Sequence, residues 1–180
     1  MELHDSRPSC PKMAPTVTVI KFSPSVRNLG VTLDSALSLH QHVMNVCTLA
    51  YLELKRINSI QNLLSVDAVK TLVCSLVLSH LDYCNSLLVG LPQYLIKRLQ
   101  GVQNAAARSI LGTPRSADIL PLLQNLHCLP VNRRILNKVA ALCHTSLSGS
   151  GPQYLSDLTH VHIPTRSLRF SSDTRIFWNS

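Results

Sequence analysis

The sequence predicts a mainly α-helical protein, in which an N-terminal β-hairpin precedes an antiparallel helical bundle. Hydrophobic residues make up 46% of the 180 residues and charged residues only 14%, a composition too apolar for a disordered chain. Aromatic residues contribute only 4%, so aliphatic side chains must fill the core. After a β-branched start, apolar residues recur at the three- and four-residue spacing of helices, which favours the helical class.

The first 34 residues divide into a leader and a hairpin. Residues 1–15 contain three prolines and no apolar periodicity, which predicts a disordered leader. Residues 16–34 predict the hairpin, with one β-branched strand at 16–20, a second extended run at 26–33 and a Ser-Pro-Ser turn at 23–25. Because a two-stranded ribbon alone is marginal in water, this hairpin needs a surface from the rest of the chain or from a further domain.

Residues 35–148 predict the helical bundle, and its first two helices are long. The first covers residues 37–63, with Ser35 and Ser38 as candidate caps. Its buried stripe consists of Val43, Val46, Ala50, Leu54 and Ile57. The second helix begins at the N-cap Ser65 and ends near Gly90. Because it is apolar on most sides between residues 69 and 78, it is predicted to be the central helix of the bundle.

Three further helices complete the predicted bundle. The third begins at Pro92, a favoured residue in a first turn, and ends at Gly112. Its core stripe consists of Leu95, Leu99, Val102, Ala106 and Ile110. A short helix is predicted over residues 118–126, and a fifth begins near Pro130. The stripe of this fifth helix consists of Ile135, Val139 and Leu142. Residues 149–180 predict a linker and a frayed tail with one short helix at most.

The chain lacks the residue groupings on which most catalysis depends. Two-metal polymerases and nucleases need clustered carboxylates, but no two of the nine acidic residues are adjacent. There is no glycine-rich phosphate loop and no GxSxG sequence. The sequence therefore predicts no enzymatic activity of its own, no catalytic residue and no cofactor.

Histidine and cysteine spacing predicts no metal site. On a helix, His40 and His42 point about 200° apart, so they cannot hold one ion together. His80 and Cys84 have the four-residue spacing that suits zinc on a helix, but the sequence offers no two further ligands.

The six cysteines include no CxxC pair, the chain begins without an apolar signal region, and its longest apolar stretch is too short for a bilayer. These features predict an intracellular protein, nuclear or cytoplasmic, with no membrane partner.

Positive charge predicts a polyanionic partner. The formal net charge is +8, and seven basic residues but only one acid lie between residues 83 and 156. RNA, DNA or an RNA–DNA duplex, contacted through its phosphates, is the partner class that this charge favours. With few aromatic residues for stacking, we expect backbone contacts without strong sequence preference. The candidate binding residues are Lys97, Arg98, Asn104, Arg108, Arg115, Arg133, Arg134 and Lys138.

The candidate residues of the third helix share one predicted face. Lys97, Gly101, Asn104 and Arg108 recur at three- and four-residue steps, roughly opposite the core stripe. Arg134 and Lys138 form a second cationic pair, whose mutual repulsion an anionic partner would relieve. The alternative is that both are ordinary solvated faces of amphipathic helices.

Five blocks of sequence, in order along residues 22–180, carry a family resemblance. They read VRNLGVTLD at 26–34, LDYCN at 81–85 with GLP at 90–92, QNAAAR at 103–108, LHCLPV at 126–131 and YLSDL at 154–158. Together they resemble non-LTR (LINE-type) retrotransposon reverse transcriptases, most closely the jockey-like and chicken-repeat-like branch. The first block is similar to the LGVxxD strand that closes the palm of these enzymes.

The resemblance implies a truncated enzyme. The hairpin would be the end of the palm, and the helices would be the thumb and its extension, which hold the template–primer duplex. The catalytic aspartates of the family lie upstream of these blocks and have no counterpart here. Cys128 stands where the family usually has tryptophan, and His80 stands where it usually has arginine. The residues Trp178-Asn179-Ser180 resemble the start of a family LWNSLP block that arrives early in this chain.

Two other interpretations remain open at the level of the sequence. The chain could be a helical interaction module that associates through a surface once covered by the palm. It could also be a translated repeat remnant without function. Binding that depends on salt would favour the nucleic-acid interpretation, salt-insensitive self-association the module, and non-cooperative unfolding the remnant.

Overall fold

A computed structural model describes residues 23–161 and 176–178, and it confirms the predicted fold class. The strands are β1 (Ser25–Asn28), β2 (Val31–Asp34), β3 (Thr159–Val161) and β4 (Ile176–Trp178). The α-helices are α1 (His40–Ile60), α2 (Val66–Leu72), α3 (Ser79–Asp82), α4 (Gln93–Leu111), α5 (Ile119–Asn125), α6 (Val131–Leu147) and α7 (Gln153–Leu158). The predicted leader and the predicted strand at residues 16–20 lie outside the described residues.

The hairpin is shorter than predicted, and its turn lies elsewhere. Residues 26–33, predicted as one strand, contain parts of both β1 and β2, which pair antiparallel from Ser25–Asp34 to Asn28–Val31. The turn is Leu29-Gly30, not residues 23–25. Both turn residues have positive φ, 45° and 84°, which is the backbone of a two-residue turn whose twist matches the flanking strands.

The bundle supplies the surface that the hairpin needs. Val31 is buried in the common core. The Tyr83 hydroxyl donates a 2.5 Å hydrogen bond to the carbonyl of Leu29, across 54 residues of sequence. The backbone N–H of Thr32 donates to Nδ1 of the buried His42 at 3.4 Å. These contacts hold β2 and the turn of the hairpin against α1 and the residue that follows α3.

Helix α1 begins at His40, three residues later than predicted. The carboxylate of Asp34 accepts hydrogen bonds from the N–H groups of Ser38 and Leu39, and the Ser38 hydroxyl accepts one from His40. The last residue of the hairpin thus orders the entry into the bundle, and Ser35 has no capping role. The predicted stripe of α1 is confirmed, because its five residues are buried or half-buried.

A continuous helical rod follows, which we name the central helix (residues 66–82). It consists of α2, the π-helical turn Val73–Leu78 and α3. Ser65 caps it as predicted, since its hydroxyl accepts from the N–H of Ala68. The rod ends at Asp82 rather than near Gly90, because Tyr83 is extended and Cys84 is left-handed, with φ 52°. A short 3-10 turn, Asn85–Leu88, leads to α4.

The central helix packs against α1 and α4, as its apolar sequence predicts, and it borders a cleft with α6. Its last turns lie near the start of α1, and its middle lies near the second half of α6, so it runs antiparallel to both. Helices α1 and α4 lie side by side in parallel, because His40 lies beside Tyr94 at one end and Asn58 beside Ser109 at the other. This parallel pair forms the surface considered below.

Helix α4 and the short helices α5 and α7 agree with their predictions, but α6 and the tail differ in part. All five stripe residues of α4 are buried. In α6, Leu142 is exposed, and the neighbouring Cys143 points into the protein because the stripe continues at four-residue steps from Ile135. In the predicted frayed tail, β3 pairs antiparallel with β4, from Thr159–Trp178 to Val161–Ile176. Among the described helices, none has the length and apolar character needed to cross a membrane.

Candidate nucleic-acid interface

The parallel helices α1 and α4 leave a polar groove between their outer flanks, which we name the α1–α4 groove. It has a volume of about 650 Å³. Its lining includes Tyr51, Asn58 and Gln61 from the α1 side and Gly101, Arg108 and Arg115 from the α4 side. Tyr51 reaches across to α4 at Gly101, where a Cβ atom would lie in ordinary contact, 3.4 Å from the Tyr51 hydroxyl. The amide of Gln61 donates to the carbonyl of Ser109 at 2.8 Å and closes the far end.

Two predicted arginines place positive charge along the α1–α4 pair, with Arg115 lining the groove and Arg98 about one turn before Gly101 on α4. Burial raises the pKa of the Cys47 thiol, and the charge of Arg98 partly opposes that rise. Burial also raises the pKa of Tyr51, and Arg115 opposes it in the same way. Both arginines are exposed to solvent. Their influence on Cys47 and Tyr51 indicates that they lie near the flank of α1. None of the described residues that line the groove is acidic.

The residues predicted to form one continuous face on α4 border two different grooves. Gly101 and Arg108 line the α1–α4 groove, whereas Lys97 and Asn104 line a separate groove toward α5. The Asn104 carbonyl accepts a 2.8 Å hydrogen bond from Gln100. Helix α5 packs onto α4 beside this face, a contact of which the sequence gives no sign, and the role of the face as a phosphate track stays a prediction.

Arg108 also has a structural role. Its guanidinium donates to the carbonyl of Ala117 at 3.3 Å and holds the loop that follows α4. Its Nε atom and the hydroxyl of Thr113 are buried without partners among the described residues. Arg108 is thus half-buried, and the charge that a ligand would meet first in this groove belongs to Arg115.

The predicted cationic pair on α6 is also interrupted. Arg134 forms an ion pair with Asp82 of the central helix, so its charge is already compensated. Arg133 and Lys138 remain exposed, and Lys138 lines a cleft of about 540 Å³ together with Asp82, Asn85 and His127. Burial raises the pKa of Asp82, while Arg134 and the amide of Asn85 act in the opposite direction. The carboxylate in this cleft makes it a poorer phosphate site than the α1–α4 groove.

The sequence Asp82-Tyr83-Cys84-Asn85, part of the second family-like block, joins three parts of the fold. Asp82 binds Arg134 of α6 and accepts a 3.4 Å hydrogen bond from Asn85, while Tyr83 holds the hairpin turn. Cys84 is not on a helix, so the predicted four-residue alignment with His80 is not formed. Among residues 23–161, no group of three or more His, Cys, Asp or Glu side chains could hold a metal ion.

Sequence reasoning missed the aromatic members of the α1–α4 groove. Tyr51 and Tyr94 are about half exposed, and Tyr94 lies 6.2 Å from the His40 ring, centroid to centroid. A signal was present, because His40, Tyr51 and Asn58 recur at steps of eleven and seven residues, which bring them to one face of α1. That this face borders Arg98 and Arg115 depends on the parallel packing and on no local pattern.

Comparisons of this chain with protein-family models, with curated proteins and with solved structures found no match.

Proposed function

We propose that this chain is a non-catalytic C-terminal part of a non-LTR retrotransposon reverse transcriptase, and that it binds RNA, DNA or their hybrid duplex through phosphates. The resemblance in five ordered blocks supports the ancestry. The blocks also occupy structural positions that suit a connected domain, since the first forms the hairpin and the second holds it to the bundle. Polymerase activity is not expected from this chain, because it offers no pair of adjacent carboxylates for two metal ions.

The observation that carries the binding proposal is the α1–α4 groove. It combines the exposed Arg115 and the half-buried Arg108 with polar side chains, and it has no carboxylate among its described lining residues. Arginine is well suited to phosphate because its planar group donates two hydrogen bonds at once. Binding of this kind releases counterions, so it should weaken steeply as salt increases.

The test is fluorescence anisotropy of a labelled RNA–DNA duplex over a salt series. We expect the variant Arg98→Glu/Arg115→Glu to weaken binding at least tenfold and to reduce the slope of log K against log salt by about 2, one unit for each lost phosphate contact. Arg108 is not changed, because it holds the loop at Ala117 and its loss would confuse binding with stability.

The matched control is Arg133→Glu/Lys138→Glu on α6, which alters the net charge by the same amount on the other surface. Equal losses in both variants would indicate a general effect of net charge and no defined site. A wild-type chain that does not bind the duplex, even at low salt, would contradict the binding proposal.

A second candidate function is a helical interaction module. Large apolar side chains are about half exposed on the outer flank of α1 at Leu49 and Leu52, and Val26 of the hairpin is 59% exposed. Such a surface favours association with another protein. Sedimentation velocity should then give self-association that persists at high salt, with no binding of the duplex.

A further inference from the structure

We infer that the α1–α4 groove, together with the turns of α4 that lead into it from Tyr94, takes single-stranded nucleic acid, with bases stacked on Tyr94 and Tyr51 and phosphates bound by Arg98 and Arg115. This inference rests on the proposed function and names its substrate class. The groove contains the two elements that single-strand sites combine, which are aromatic platforms and a positively charged path for the backbone. In a duplex the faces of the bases are covered by neighbouring bases. Exposed aromatic rings therefore contribute less to the binding of a duplex than to the binding of a single strand.

The two tyrosines are available for stacking. Tyr94 is 55% exposed and Tyr51 is 47% exposed. The Tyr94 ring lies tilted at 43° to His40, and its hydroxyl is 3.5 Å from the histidine Nδ1, which supports the ring from one side. The Tyr51 hydroxyl lies next to Gly101 of α4.

The order of groups along α4 suits a strand that follows the helix. Tyr94, Arg98 and Gly101 lie on successive turns, and Tyr51 reaches α4 at Gly101. Seven residues of helix span about 10 Å, which corresponds to about three steps of 3.4 Å between stacked bases. Arg98 lies between Tyr94 and Gly101 along α4, and Arg115 lines the groove together with Tyr51.

The other described tyrosines lack this arrangement. The hydroxyl of Tyr83 is occupied by the carbonyl of Leu29, and the ring contacts the hairpin turn at Gly30. Tyr154 of α7 is 65% exposed but lies on a helix that also carries Asp157. Tyr154 is therefore a suitable control for the loss of an exposed ring.

The experiment compares a labelled 12-nucleotide oligouridine with a 12-base-pair RNA–DNA duplex. We expect Tyr51→Ala/Tyr94→Ala to weaken binding of the single strand at least tenfold, because each stacked base contributes about 1–3 kcal/mol. The same variant should change duplex binding less than threefold. Tyr51→Phe/Tyr94→Phe should retain single-strand binding, and Tyr154→Ala should behave as the wild type.

A second readout uses the unaltered chain, in case the alanine variant fails to fold. Nitration by tetranitromethane, followed by mass spectrometry, should show that oligouridine protects Tyr51 and Tyr94 but not Tyr154. Unchanged nitration, or unchanged binding by a folded alanine variant, overturns the inference. If the duplex still binds and requires Arg98 and Arg115, the proposed function survives that result. If the wild type binds neither nucleic acid, both proposals fail.

Discussion

At the scale of single residues, the ion pair between Asp82 and Arg134 joins the central helix to α6. Burial raises the pKa of Asp82, and Arg134 keeps that rise smaller than it would otherwise be. Because Asn85 contributes only a long hydrogen bond of 3.4 Å, Arg134 is the main partner of this carboxylate. The stability of this contact should therefore depend on pH.

We predict that Arg134→Met destabilises the protein by about 1–3 kcal/mol at pH 7, because it leaves a half-buried carboxylate without its cation. The variant raises the folded-state pKa of Asp82 further above its value of about 3.8 in the unfolded chain. The folded state then holds a proton that the unfolded state releases as the pH increases. Urea unfolding should show a smaller difference from the wild type at pH 4 than at pH 7. A difference that does not vary with pH would contradict this explanation.

At the scale of elements, the hairpin turn contains a conformational strain that the sequence does not relieve. Leu29 has a φ of 45°, a left-handed conformation that disfavours residues with a branched side chain, and its own side chain is 83% exposed. Asparagine followed by glycine is the preferred pair for such a turn. Leu29→Asn should therefore stabilise the protein by about 0.5–1 kcal/mol, measured by urea unfolding. Leu29→Gln is the control, because it removes the same exposed apolar group without favouring the left-handed conformation.

The contact between the hairpin and α1 should weaken in acid. His42 is 7% exposed, and burial lowers its pKa below the ordinary value of 6.5. Below about pH 6.5 His42 binds a proton more readily in the unfolded chain than in the folded chain. Its contribution to the free energy of unfolding is therefore fully present above this pH and decreases as the pH falls. Protonation of Nδ1 would also remove the acceptor for the N–H of Thr32. Arg27 and His80 line the same cavity as His42.

His42→Gln tests this dependence, because glutamine keeps an acceptor but does not titrate. We expect the melting temperature of the wild type to fall more between pH 7.5 and 5.5 than that of the variant. His144→Gln, at an exposed position of α6, should keep the response of the wild type. An equal fall in wild type and His42→Gln would assign the acid sensitivity to other groups.

At the scale of the whole molecule, one apolar core joins β2, α1, the central helix, α4 and the first turns of α6. Helix α7 contributes no residue to this core, and its link to α6 includes a hydrogen bond from the Ser156 hydroxyl to the carbonyl of Ser146. Hydrogen exchange on the intact chain should therefore be slowest in α1, the central helix and α4, and clearly faster in α7. Amides of α7 that exchange as slowly as those of α4 would contradict this division.

The fold was predictable where local residues specify it, and the site was not. Pro92 and Gly112 bound α4 to within one residue, because both act on the backbone next to them. The hairpin turn was misplaced because Ser-Pro-Ser is a stronger local turn signal than Leu-Gly. What holds the observed turn is the Tyr83 hydroxyl, 54 residues away. The α1–α4 groove likewise depends on a parallel contact between distant helices, so only its arginines could be nominated from the sequence.

The π-helical turn of the central helix affects which insertions and deletions the fold can tolerate. Such a turn holds one residue more than the α-helix around it, so it can absorb a single inserted residue while the flanking turns keep their faces toward the core. Hydroxyls of Ser75 and Ser79 bond carbonyls within and beside this turn, which lowers the cost of the wider backbone. A related sequence that lacks one residue between Val73 and Leu78 would therefore fold into the same helical bundle. An alignment of related sequences should therefore show a one-residue gap at this place. The spacing of the apolar positions should be the same on both sides of the gap.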